Sequence, residues 1–183
     1  MGIIVQKFGG TSVKSAESRK AVLGHILRAK EEGHDVVVVV SAMGRMGDPY
    51  ATDTLIELLR AHGSKINPKT QDLIMSCGEI ISACVMATYI EAQGIKAEAM
   101  TGFQAGILTT EAFGNADIIN VDPTPILEKL KEGILKYESK ITDALQRDLG
   151  KHPFESYTTE IGFTLNSIAY TTRRLKKWAK PLS

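Results

Sequence analysis

Cysteine is nearly absent from this sequence of 183 residues: there are two, Cys77 and Cys84. They stand seven residues apart on what reads as one helix face, so two helical turns separate them by roughly 10 Å. That is too far for a disulfide. A disulfide scaffold is excluded, and the pair reads as core thiols in a reducing compartment. An excess of charge of one sign is also lacking. Lys+Arg number 22 and Asp+Glu 21, a formal net charge of +1. The total gives no reason to expect nucleic acid or a membrane as partner. No apolar run approaches the roughly 18 residues of a membrane span, and the N-terminus is too short and mixed for a signal peptide. A cytoplasmic protein is expected.

What is present suits a globular chain. Hydrophobic residues make up 43%, and the length fits one domain or one domain with an appendage. The near-zero total hides an asymmetry. Residues 1–133 hold 13 Lys+Arg and 16 Asp+Glu, and residues 134–183 hold 9 and 5. Two solvated surfaces would explain it, and so would two segments of different history.

The N-terminal stretch is the richest in chemistry. Ile3–Val5 is a short β-branched run, read as a buried strand. It leads through Lys7 and Phe8 to Gly9-Gly10-Thr11-Ser12 and then to a helix. Glycines permit a tight turn and close approach to a ligand. Backbone N–H groups, a helix N-terminus and Lys7 together can hold a phosphate. An ordinary glycine turn between a strand and a helix remains open. The motif is not a Walker A loop, because its lysine precedes the glycines.

Ser15 caps a predicted helix to about Glu32, stopped by Gly33. Val36–Val40 is a run of five valines, predicted as a central parallel strand covered on both faces. The β-helix-β order implies a right-handed crossover. Ser41 follows at the carboxyl end of that strand, where open α/β sheets bind ligands. The loop 44–50 is polar and contains glycine, which suits a flexible lid. Thr52 precedes an apolar helix and is either its cap or a ligand.

Asn67-Pro68 starts the strongest helical pattern. Leu73, Ile74, Cys77, Ile80, Ile81, Cys84, Val85 and Thr88 share its predicted apolar face. Gly78 within it costs about 1 kcal/mol against Ala, which suggests close packing. Glu79 is either a solvated helix glutamate or a partner for a cationic substrate group. Beyond Gly94, strands are predicted at Lys96–Met100, Ile107–Thr109 and Ala116–Val121, then a short helix Pro125–Lys131 ended by Gly133.

From Ile134 the pattern is helical. Tyr137, Ile141, Leu145 and Leu149 recur every fourth residue, and Gly150 with Pro153 marks a break. Tyr157, Ile161, Leu165, Ile168, Leu175 and Trp178 form a second stripe. Arg173, Arg174, Lys176 and Lys177 suit the C-terminal end of a helix dipole.

Five of these blocks occur together in one known family. Lys7–Ser12, Val37–Gly44, Thr52–Leu55, Ser76–Glu79 and Thr101–Gly106 resemble aspartate kinases in order and spacing. The insert Gly47–Ala51 is similar to that of the Bacillus-type branch. The resemblance covers about residues 2–133. It implies part of a three-layer αβα amino-acid-kinase sandwich (carbamate-kinase-like) with a mainly parallel sheet. It implies transfer of a phosphoryl group from ATP, carried with Mg2+ as the substrate complex, to the β-carboxylate of L-aspartate. That reaction is the first step to lysine, threonine and methionine. By the same resemblance Lys7 is the catalytic lysine. Lys7, Phe8, Gly9, Gly10 and Ser12 form the ATP phosphate loop. Ser41, Thr52 and Glu79 hold aspartate, with Glu79 facing its ammonium. No resident metal, nucleic acid or membrane is implied, and a homo-oligomer is admitted. The same blocks argue against a kinase acting on glutamate.

The family's pattern stops after about Gly133, before its second catalytic lysine, its catalytic aspartate and much of its nucleotide pocket. Residues 134–183 resemble instead the N-terminal helices of aldehyde dehydrogenases, through Asp148–Lys151, Glu155–Ile161 and Leu175–Pro181. Those helices carry no catalytic residue, so no oxidoreductase function comes with them. The expected domains are 1–133, the N-terminal part of a kinase catalytic domain, and 134–183, a C-terminal α-helical tail. The alternative function is a catalytically inactive fusion product, at most a binding or interaction fragment.

Overall fold

The computed structural model describes residues 2–136 and 138–178, with side-chain surroundings up to residue 170. It is a mixed α/β protein that divides into two compact units. One comprises residues up to Thr101 together with Glu111–Asp117, the other Gly102–Thr110 and the residues from Ile118 onward.

The first unit begins with strand β1 (Ile3–Phe8), the short helix α1 (Gly10–Val13) and helix α2 (Ala16–Glu31). Ser15 caps α2 through a reciprocal pair with Ser18, each side chain accepting the other's backbone N–H. This satisfies donors that the first helical turn leaves open. Gly33 ends the helix at φ +80, a conformation suited to glycine. Strand β2 (Asp35–Val40) then returns parallel to β1, with Lys7 opposite Val39 and Phe8 opposite Val40. Helix α3 (Thr52–Arg60) and the long helix α4 (Pro68–Glu91) complete the unit. Asn67 caps α4 by accepting from Lys69 N at 2.9 Å, with Pro68 in the first turn.

Period two in the strands decides where the core lies. Phe8, Val36, Val38 and Val40 pack on a buried cluster of Val13, Val22, Leu23, Ile26, Met43, Met86 and Ile90. Helices α2 and α4 therefore cover one sheet face. The other face leaves Ile3 46%, Val5 65% and Val39 43% exposed. The predicted burial of Ile3–Val5, and of β2 on both faces, is corrected accordingly. Among the described residues β2 pairs with β1 alone.

Helix α4 turns inward a face that only partly matches the predicted one: Ile81 and Val85 do pack against the core. Gly78, Ser82, Met86 and Ile90 are its buried residues, whereas Leu73, Ile80, Cys77 and Cys84 are exposed. Both cysteines are thus free surface thiols, not core thiols. Helix α4 is also the one described helix long and apolar enough to cross a membrane, by length and composition. Here Met86 and Ile90 belong to the core beneath the sheet.

The predicted strand Lys96–Met100 does not form. Ile95 and Ala97 still pack against the core, so the alternation is real, but no ladder of hydrogen bonds accompanies it.

In the second unit β3 (Ile107–Thr109) pairs antiparallel with β4 (Ile118–Val121). Gly106, at φ +87, lies against the Asp122 carbonyl, and Asp122 N donates to Gly106 O at 2.8 Å. Helix α5 (Thr124–Lys136) runs through Gly133, which was expected to end it. Helix α6 (Glu138–Leu149) ends at Gly150, φ +66. Short helix α7 (Pro153–Ser156) opens on Pro153, and a π-helical turn (Tyr157–Ile161) leads into α8 (Gly162–Trp178). Ile161 is buried at 2% exposure, and Lys151 pairs with Glu160 at 2.6 Å. Tyr137 lies outside the described residues, as do the side chains of Arg173, Arg174, Leu175, Lys176, Lys177 and Trp178.

Candidate active site

The glycine loop leaves the carboxyl end of β1. Gly9 is extended at φ −74, ψ 167 and stands at the start of α1. Ser12 N donates back to Gly9 O at 2.9 Å. Gly10 has no room for a side chain: a Cβ there would run into the Ala42 carbonyl oxygen and lie 3.0 Å from that of Gly44. In return Gly44 N donates to Gly10 O at 3.0 Å. The loop after β1 and the loop after β2 therefore touch backbone to backbone. That contact is possible because glycine carries no Cβ.

Ser41 continues β2, its N–H reaching Phe8 O at 3.3 Å. Phe8 itself is half-buried on the core cluster, its ring 6.3 Å from that of His25. Lys7 points to the uncovered sheet face and is exposed. Glu79 is half-buried on α4, and its Oε1 accepts from Ala42 N at 3.4 Å. A carboxylate is thus aimed at the backbone between the two loops. The solvated-glutamate reading of Glu79 does not describe this position.

Gly78 is the reason α4 can come so close. A Cβ there would stand 2.8 Å from Ala42 Cβ, 2.9 Å from Tyr50 O and 3.3 Å from Leu55 Cδ1. The loop 42–50 and α3 press on the helix at this point. Thr52 is the first residue of α3, while Ala51 holds the capping position and no side chain caps it. The capping reading of Thr52 is therefore corrected.

The loop 44–50, read from sequence as a flexible lid, is held by three contacts, two of them to side chains outside it. Lys14 Nζ pairs with Asp48 Oδ2 at 2.9 Å. Arg45 N donates to the same oxygen at 2.9 Å. Gly47 N donates to Thr54 Oγ1 at 2.9 Å. The Arg45 N–H, first, and the Lys14 hydrogen bond hold the Asp48 carboxyl below its ordinary value. Sequence reasoning gave Lys14 no role, and included Asp48 and Thr54 only within matching blocks, without a role of their own. Asp48-Pro49 directly after Gly47 was the available turn signal.

Residues 2–136 match the family model of the amino acid kinase family. The chain belongs to this family. Aspartokinase 1 of Bacillus subtilis (strain 168) is 55% identical over 130 residues, 71% of this chain and 32% of that protein. The aspartokinase of Geobacillus stearothermophilus is 44% identical over 135 residues, 74% of this chain and 32% of the relative. The aspartokinase of Corynebacterium glutamicum is 44% identical over 133 residues, 73% and 30%. Among solved structures, the aspartate kinase from Synechocystis superposes with a TM-score of 0.50 at 35% identity, over 57% of this chain and 17% of that one. The amino-acid-kinase segment thus spans less than a third of the length of these curated relatives.

Proposed function

We propose that residues 1–133 are the N-terminal part of an aspartate kinase catalytic domain, holding the aspartate side and the first phosphate loop of its site. In the complete reaction MgATP, entering as substrate, phosphorylates the β-carboxylate of L-aspartate. Lys7 neutralises charge on the transferring phosphates, with the backbone of Phe8, Gly9, Gly10 and Ser12 beside it. Ser41 and Thr52 orient the aspartate, and Glu79 receives its ammonium. Phosphoryl transfer depends on such positioning and charge neutralisation more than on covalent chemistry. One observation carries the reading. Glu79, Ala42, Gly10 and Gly44 meet at the carboxyl end of the parallel pair, where α/β sheets place ligands.

Residues 134–183 are proposed as a second, helical segment of different origin, resembling an aldehyde dehydrogenase N-terminus and contributing no catalytic group. The proposed location is the cytoplasm, with a homo-oligomer compatible with the family. Partial coverage of the relatives favours one alternative over full activity: a catalytically inactive fusion product that binds aspartate without turning it over.

The test is an NMR titration of the 183-residue chain with L-aspartate, and with succinate, which lacks the ammonium. Aspartate is expected to shift the amides of Ser41, Ala42 and Thr52 saturably, and succinate to do so at least about tenfold more weakly. Glu79→Gln should erase that preference. Equal response to the two acids, or an unchanged preference in Glu79→Gln, overturns the assignment.

A further inference from the structure

A cavity of about 360 Å³ lies in the first unit, lined by Lys14, Arg19, Met43, Asp48, Pro49, Tyr50 and Val85. Its lining includes none of Lys7, Gly9, Gly10, Ser12, Ser41, Thr52 or Glu79. Arg19 is fixed on one side: its Nη1 donates to Val13 O at 2.8 Å and Lys14 O at 3.1 Å, and stands 3.9 Å from Met43 Sδ. Those carbonyls occupy one guanidinium nitrogen. Among the described residues the others meet no acceptor. Lys14 is already matched by Asp48 at 2.9 Å. The lining therefore holds two cations against one carboxylate, an excess of one positive charge. Met43, Pro49, Val85 and the Tyr50 ring supply apolar wall.

We propose that this cavity is a binding site for a small monocarboxylate with a compact apolar body. The pre-oriented guanidinium offers the planar fork that a carboxylate accepts. The apolar wall favours a hydrocarbon or aromatic body over a bare inorganic anion, in the usual pattern of a small-molecule pocket. A dianion would exceed the charge available. The proposal stands independently of the kinase reading, because it uses none of those residues.

The experiment is a methyl-detected NMR titration of the whole chain with benzoate, with benzamide as its neutral counterpart. Benzoate should shift the Met43 and Val85 methyls saturably, in the millimolar range expected for so small a ligand. Benzamide should bind at least about tenfold more weakly. Arg19→Gln should weaken benzoate by a similar factor, and Val85→Phe, which fills the space, should abolish saturation. Inorganic phosphate should leave the methyls unmoved. No saturable shift at Met43 and Val85 in the unaltered chain, or equal binding of benzoate and benzamide, overturns the proposal. The comparison of the two ligands needs no variant, so a substitution that fails to fold leaves the test intact.

Discussion

At the scale of single residues, two helical glycines differ only in what surrounds them. Replacing glycine by alanine inside a helix is worth about 1 kcal/mol through backbone entropy. Gly24 in α2 has nothing within 4 Å of the point where an added methyl group would stand, so Gly24→Ala should gain about 0.5–1 kcal/mol. Gly78→Ala faces Ala42 Cβ at 2.8 Å and Tyr50 O at 2.9 Å. Overpacking of that kind costs about 1–3 kcal/mol and should reverse the sign. Urea midpoints of the two variants check this; a stabilised Gly78→Ala would show that the loop 42–50 does not rest on α4. Asp48 makes a pH-dependent counterpart. Its pKa is lowered on folding by the Arg45 N–H and by Lys14. Its contribution to stability is therefore present above the ordinary carboxylate value of 3.8. It fades as pH falls through the lower folded value. Asp48→Asn should melt below the unaltered chain at pH 7, and the gap should close on acidification. A gap that persists unchanged at pH 2.5 would remove the charge from the explanation.

At the scale of elements, α4 separates what was legible in the sequence from what was not. Its start was legible, because Asn67-Pro68 is local capping chemistry; the same holds for Ser15 and α2. Its buried face was legible only in part, in Ile81 and Val85, which pack against the core, and in the close packing expected of Gly78. The helix is apolar on nearly every side, so periodicity selects no face. The deciding feature is small size: Gly78 admits the Tyr50 carbonyl and Ala42, and Ser82 is 0% exposed. Patterns of hydrophobicity do not register small residues as contacts. The candidate site divides likewise. Gly9-Gly10 and Glu79 were legible as types that need a close backbone or a partner. The meeting of Gly10 with Ala42 and Gly44 is a contact between loops over thirty residues apart, which no local rule supplies. The outward face of α4 gives the prediction proper to this scale. Cys77 and Cys84 are both exposed, so a thiol-reactive disulfide reagent should titrate both rapidly without denaturant. Reaction of either only after unfolding would restore the sequence-based reading of core thiols.

At the scale of the whole molecule, binding and turnover come apart. The parallel pair β1–β2 brings the glycine loop, Ser41 and Glu79 to one end. Its second face leaves Ile3, Val5 and Val39 exposed, where an α/β sheet ordinarily carries a second helical layer. Lys7 shares that uncovered face. A lysine facing water neutralises phosphate weakly, because a high dielectric screens it and water competes for the anion. The amino-acid-kinase segment also spans under a third of its relatives. The purified 183-residue chain is therefore expected to release no ADP above background from ATP and aspartate, while still discriminating aspartate from succinate. A coupled ADP-release assay, run beside Lys7→Ala as the blank, measures this. Robust aspartate-dependent release that Lys7→Ala abolishes would mean that the exposed lysine works without a second wall. The half-site reading would then give way to a self-sufficient kinase.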